Sequence, residues 1–140
     1  MVFILDEGGV FQVPLDQIWA FFGDMAKHAH PTMKNMHVEP AGENALNMSW
    51  EGTVNNSITS NKAKLTMFPP SGFAMEFTEG PFTGTKEFEY YIPKGNQTGI
   101  TSVGVWMSPI LNDDQLKKEA MNFLDTVFRE DEANFARMKK

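Results

Sequence analysis

The sequence predicts an α+β fold: a curved antiparallel sheet of about seven strands wrapped around one long C-terminal helix, with two short helices after the first strand. Three observations carry that expectation. From about Met36 to Met107 apolar and polar side chains alternate in short runs separated by Gly, Pro and Asn, the pattern of half-buried antiparallel strands. After Asn112 the apolar side chains recur every three or four positions instead, which makes one stripe along a helix. Between the first apolar run and the rest, the period changes at Pro14, so helix interrupts the strands early.

The elements follow in order. Residues 2–13 read as a strand, with Gly8-Gly9 marking a bulge or bend. Leu15, Ile18, Trp19 and Phe22 then have helical spacing. Pro14 suits the first turn, where its missing N–H costs nothing, and Gly23 stops the helix. A second short helix or turn, Asp24 to His30, ends before Pro31. Asn44 to Val54 places Leu46, Met48, Trp50 and Val54 on one parity and Asn47, Ser49, Glu51 and Thr53 on the other. Ser57 to Phe68 carries Ile58 on one parity and Ala63, Leu65 and Met67 on the other, which predicts a bulge. After the turn Pro69-Pro70-Ser71-Gly72, Phe73, Met75 and Phe77 alternate with Ala74, Glu76 and Thr78.

Glu79-Gly80-Pro81 turns the chain again. Phe82 to Ile92 sets Phe88, Tyr90 and Ile92 against Glu87, Glu89 and Tyr91. Pro93 to Gly99 is a turn, and Ile100 to Met107 is the last strand. Its facing depends on hairpin register: either Val103, Val105 and Met107 or Ser102, Gly104 and Trp106 point inward, and the Val set is the expected one. Asn112-Asp113-Asp114-Gln115 has the form of a capping box, with the acidic pair at the positive end of the helix. Leu116, Ala120, Phe123, Leu124, Val127, Phe128, Phe135 and Met138 form its stripe, and Lys139-Lys140 suits its negative end. A helix of about 26 residues spans roughly 39 Å.

Composition bounds the function. A chain of 140 residues fits one domain, residues 1–140, and buries enough surface to fold without a disulfide or structural metal. It has no cysteine, which removes disulfide frameworks, thiolate metal sites and cysteine nucleophiles. The net charge is −6 and no basic run exceeds the pairs Lys117-Lys118 and Lys139-Lys140, so nucleic acid is not an expected partner. No apolar run reaches the length of a membrane span, and the start lacks the basic region of a signal peptide; the expected location is the cytoplasm. No motif asks for a cofactor, and none is expected. A monomer or homodimer is expected.

Candidate metal ligands Asp24, His28, His30, His37 and Glu39 lack a ligating spacing and read as solvated loop. Gly80 to Gly84 has no phosphate-loop pattern, and no G-x-S-x-G elbow is present.

With 10 Met and 12 Phe, the apolar rows are bulky and adaptable. A large sheet over a single helix leaves a gap, and apolar walls with a few polar groups are the usual form of a small-molecule site. The expected wall is Met48, Trp50, Met75, Phe77, Phe88 and Tyr90, faced by Phe123, Val127 and Phe128 of the helix. Lys86 shares the parity of Phe88 and Tyr90. It can meet an acidic head group or reach out to water, and the Tyr90 hydroxyl can orient a ligand.

The segment Phe11-Gln-Val-Pro-Leu-Asp-Gln-Ile-Trp19-Ala-Phe-Phe-Gly-Asp24 resembles the opening motif of the START and polyketide-cyclase-like (SRPBCC) superfamily. Phe82-Thr-Gly84 to Ile92-Pro93, followed by Thr98-Gly-Ile-Thr101, is similar to its late hairpin, and the long terminal helix is similar too. The resemblance implies the helix-grip fold with a hydrophobic cavity. Members bind lipids, hormones, polyketides or quinones, and some are cyclases or hydrolases. The motifs mark the fold rather than one activity.

The expected function is to bind or carry an apolar small molecule, lipid-, quinone- or polyketide-like. The alternative is a cyclase or dehydratase, which needs an acid–base pair in a cavity whose inward rows are expected to be nearly all apolar. His, Asp or Glu side chains pointing inward would favour the enzyme. A third reading, a partner-binding module, needs an exposed apolar patch and no closed cavity.

Overall fold

In the computed structural model, residues 1–23 and 30–138 are described. The second short helix expected after Gly23, with Asp24 and His28, lies outside the described residues. The elements are β1 (Val2–Phe11), α1 (Leu15–Phe22), β2 (Lys34–Gly42), β3 (Ala45–Val54), β4 (Ser57–Phe68), β5 (Gly72–Glu79), β6 (Lys86–Lys94), β7 (Gln97–Trp106) and α2 (Asp113–Met138). The strands form one antiparallel sheet in the order β1-β7-β6-β5-β4-β3-β2, so each strand from β2 to β7 is a hairpin neighbour of the next. β1 closes the far side against β7.

Local chemistry sets the turns and caps. Asn55 and Asn56 both hold positive φ, 50° and 65°, which is what a tight two-residue hairpin asks of its central residues. The capping box forms reciprocally: the Gln115 N–H donates to Asn112 Oδ1 at 2.9 Å, and the Asn112 N–H donates to Gln115 Oε1 at 3.2 Å. Pro14 precedes α1 and its carbonyl accepts the first helical N–H groups, while the Gly23 N–H closes the last turn on Trp19.

β1 carries the expected bulge. Its register against β7 shifts between Asp6 and Gly9, and Gly8 has φ of +94°. A Cβ on Gly9 would lie 2.7 Å from Ile100 and 3.0 Å from Phe128. The bare backbone there lets α2 come down onto the sheet. The bulge expected in β4 takes another form. Its pairing with β3 is unbroken, and the shift lies on the β5 side between Lys62 and Ala63. Ile58 simply points outward, 83% exposed.

Two apolar clusters hold α2 and α1 to the inner face of the sheet. The first centres on Trp106, Phe77 and Phe82, with Trp50, Leu116, Ala120 and Leu124 around them. The second joins Phe11, Val13, Ile18, Phe21, Tyr91 and Phe135. Between the two lies the space described next.

Candidate functional site

β6 and β7 supply the middle of the inner face. Residues directly opposite on antiparallel strands share a face. The register pairs Glu87 with Gly104, Glu89 with Ser102 and Tyr91 with Ile100. These are the inward residues: Glu87 is 2% exposed, Glu89 7%, Tyr91 7% and Ser102 8%. Gly104 makes the arrangement possible, since a Cβ there would stand 2.6 Å from Glu87 Cα and Cβ and 2.5 Å from the Lys86 carbonyl oxygen.

This reverses two expectations. The Val103, Val105 and Met107 set does not face inward; Ser102 and the wholly buried Trp106 do. Likewise Lys86, Phe88 and Tyr90 lie on the outer face of β6. Phe88 and Tyr90 are exposed and stack on one another at 6.0 Å, and Lys86 reaches to within 4.0 Å of Glu76 at the surface. The physical reason is register. Trp106 must be buried somewhere, and once it points inward, alternation and strand pairing send Glu87 and Glu89 inward with it. The cost to the outer face is an apolar patch of Phe3, Leu5, Phe88 and Tyr90 left exposed.

The cavity has a volume of about 330 Å³, within the range of small-molecule sites. Its apolar wall includes Met48, Met75, Phe123, Val127 and Phe128 from the expected set, joined by Phe11, Phe22, Met33, Met36, Leu46, Leu65 and Phe73. The other two expected inward residues, Trp50 and Phe77, belong to the closed aromatic core instead. Phe77 packs on Phe82 at 5.6 Å and Trp106 at 5.5 Å, and Trp50 stacks on Phe123 at 6.2 Å. Trp50 also borders a separate depression beside Pro31, Thr32 and Asn122.

Apart from His30, which the sequence singled out, the polar lining is what sequence reasoning missed. Asp6 and Glu7 come from β1, His30 from the segment before β2, Glu87, Glu89 and Tyr91 from β6, Ser102 from β7, and Asp125 and Asp131 from α2. The Ser102 hydroxyl donates to Glu89 Oε2 at 2.6 Å. Among the described residues Glu87 Oε2 is buried with no hydrogen-bond partner. Burial raises Glu87 well above the ordinary carboxyl range, and the neighbouring Glu89 charge adds to it. Burial also raises Glu89, to about 7. The hydrogen bonds from Ser102 and Glu87 pull the other way, while the charges of Asp131 and Asp6 push up. Two carboxyls this close in an apolar setting cannot both ionise at neutral pH. Tyr91 stays a neutral phenol, its pKa pushed up by burial and by Glu89, Asp131 and Glu87.

His30 sits at the side of the cavity between two carboxylates. Its Nδ1 is 3.3 Å from Glu130 Oε1 and its Nε2 is 3.3 Å from Asp131 Oδ1. Burial lowers its pKa, but Asp131 and Glu130 together outweigh it and raise the value. Glu130 also accepts from the Thr32 N–H at 3.1 Å and the Thr32 hydroxyl at 2.8 Å. His37 and Glu39 are exposed on β2, away from this group. Among the described residues no group of three or more His, Asp and Glu is placed to hold a metal ion, and no helix is long and apolar enough to cross a membrane.

The geometry has clear counterparts. The Thermus thermophilus protein TTHA0849 superposes with a TM-score of 0.83 at 11% identity, covering 99% of this chain and 100% of that one. The ZhuI aromatase/cyclase from Streptomyces sp. R1128 gives 0.82 at 11% identity, over 99% and 96% of the two chains. A START superfamily protein from Mycobacterium smegmatis gives 0.69 at 12% identity, over 97% and 98%. No family model matches the sequence, and no curated protein is similar to it at the level of sequence. The chain thus has the helix-grip fold of START and polyketide-cyclase-like proteins.

Proposed function

We propose that the protein binds an apolar small molecule in this cavity and moves a proton on it, with Glu89 as base and Glu87 as acid. One observation carries the reading: two buried carboxyls on the same strand face open into an apolar cavity, Glu89 raised by burial to about 7 and Glu87 raised well above the ordinary carboxyl range. A carboxyl held near 7 is matched to proton transfer at neutral pH. The pair can take a proton from carbon beside a carbonyl and return one to a leaving oxygen, which is the chemistry of cyclisation and dehydration. The likeness to an aromatase/cyclase supports that class.

A nitrobenzisoxazole tests the base directly. Loss of its ring C–H proton breaks the N–O bond and releases a coloured phenolate, with no other reactant. The expected result is turnover above that of free carboxylate buffer, rising with pH through about 7 as Glu89 ionises, and lost in Glu89→Gln. Turnover that is unchanged in Glu89→Gln sinks the catalytic reading.

A carrier that does no chemistry is the second reading. It draws support from Met33, Met36, Met48 and Met75, a flexible wall suited to varied apolar ligands. Ligand binding without turnover of the benzisoxazole would favour it.

A further inference from the structure

We propose that the ligand of this cavity is an apolar amine, bound through its protonated nitrogen at Glu87, and that molecules bearing a carboxylate or phosphate are refused. The inference deepens the preceding section and rests on the cavity being the binding site; it does not rest on proton transfer to carbon.

Glu87 Oε2 is the starting point. It is buried, faces the cavity and has no partner among the described residues. A buried acceptor without a donor costs free energy that a ligand N–H can recover. The surrounding charge decides which donor fits. Asp6, Glu7, Glu87, Glu89, Asp125 and Asp131 contribute carboxyls to the lining, and no described lining residue is Lys or Arg. Asp125 is paired with Arg129 at 3.0 Å. His30, the single described lining residue that can carry positive charge at neutral pH, is already bracketed by Glu130 and Asp131. Among the described lining residues an anionic head group therefore finds no cation to receive it, and it adds a like charge to a set of carboxyls that already repel one another.

A protonated amine does the opposite. It offers Glu87 a charge-assisted hydrogen bond, stronger than a neutral one. It also lowers the mutual repulsion of Glu87, Glu89, Asp6 and Asp131. The rings of Phe11, Phe22, Phe73, Phe128 and Tyr91 line the same space, and aromatic faces favour an organic cation. Because the cation favours ionised carboxyls, its binding expels protons that the pair holds in the empty cavity. Affinity then rises with pH through the Glu89 transition at about 7. Tyr91 and Ser102 remain neutral partners across that range.

Three matched ligands separate the possibilities: phenylbutylamine, phenylbutanol and phenylbutyrate, titrated calorimetrically into the intact protein. The expected order is amine over alcohol by at least about tenfold, with phenylbutyrate undetected. The amine should release protons, read as a heat that changes with the ionisation enthalpy of the buffer. Glu87→Gln should erase the preference for amine while alcohol binding survives. Retained alcohol binding also reports that the variant is folded, and Glu89→Gln serves as the second variant. Equal binding of amine and alcohol, tighter binding of phenylbutyrate, or a preference unchanged in both variants overturns the amine proposal and leaves the cavity as a binding site. Failure of all three ligands to bind overturns the proposal together with the cavity's binding role. Turnover of the benzisoxazole is read separately, so a failed amine preference with turnover retained overturns the amine proposal and not the proton-transfer reading.

Discussion

The same two strands build a dry core at one end and an acidic cavity a short distance along. Around Trp106 the inner face is closed by Phe77, Phe82 and Phe123, with ring centroids 5.0 to 6.1 Å from the indole. Around Ser102 and Gly104 it opens onto Glu87 and Glu89. Residue size makes the difference. Trp106 fills the space between sheet and α2, whereas Ser102 leaves it unfilled, Gly104 makes room for the Glu87 backbone and Cβ, and the carboxyls occupy the margin of the gap. The lesson is a division of labour along one ladder. Dense aromatic packing lies at the Trp106 end, and the buried carboxyls lie at the other.

The sharpest way to break this comparison is Trp106→Ala. Loss of a fully buried indole should destabilise the fold by about 3–5 kcal/mol, seen as a large fall in denaturant midpoint. A loss below about 1 kcal/mol would mean that the closed end does not anchor the fold.

The next effect is pH dependence. Glu89 holds its proton more tightly folded, at about 7, than at its ordinary 4.5. Its contribution is therefore fully present at low pH and is lost as pH rises through 7. That amounts to a few kcal/mol. Glu87 acts in the same direction. The melting temperature should fall between about pH 5 and about pH 8, and Glu89→Gln should flatten part of that slope, leaving the share that Glu87 carries. The raised pKa of His30 contributes with the same sign, lost as pH rises through its folded value, so His30→Gln should remove part of what remains. A slope unchanged in Glu89→Gln would show that Glu89 is not the buried acid.

Met48→Trp sharpens the other end. Met48 lines the cavity, and the larger side chain should abolish ligand binding while changing stability by less than about 1.5 kcal/mol, as a filled gap rather than an overpacked core. Undiminished binding would place the ligand elsewhere. Smallest of all, Phe88→Ser on the outer face should alter stability by no more than about 0.5 kcal/mol and leave binding untouched. A clear loss of binding in Phe88→Ser would return β6 to the opposite facing.

How much of this was legible in the sequence follows from the same strands. The order of elements was readable because period two and period 3.6 are distinct, and because the capping box at Asn112 and Gln115 and the Gly8-Gly9 bulge are local chemistry. Five wall residues, Met48, Met75, Phe123, Val127 and Phe128, also came from alternation and the helical stripe. The acidic pair did not. In β6 the row Phe88, Tyr90 and Ile92 is the more apolar, and alternation alone assigns the more apolar row to the inside. Only the pairing of β6 with β7 decides otherwise, and pairing is not written locally. One signal was available. Ser102 and Gly104 alternate with Val103 and Val105 just before a Trp that demands burial. A row of small residues ending in Trp106 marks a face that is closed at one end and open at the other. His30 was singled out as a metal candidate; its actual partners, Glu130 and Asp131, lie about a hundred positions away in sequence, beyond any spacing rule.

That distance has a consequence for assembly. Glu130 gathers Thr32 and His30 across 98 to 100 positions of chain, and β1 finds its partner only in β7. Contacts of such long range form late, since the entropy of closing the intervening loop precedes any gain. The hairpins from β2 to β7 can pair as each follows its neighbour, but the side of the cavity formed by His30 and α2 waits for the C-terminal helix. A molecule present during folding meets an open acidic trough first and the completed cavity last.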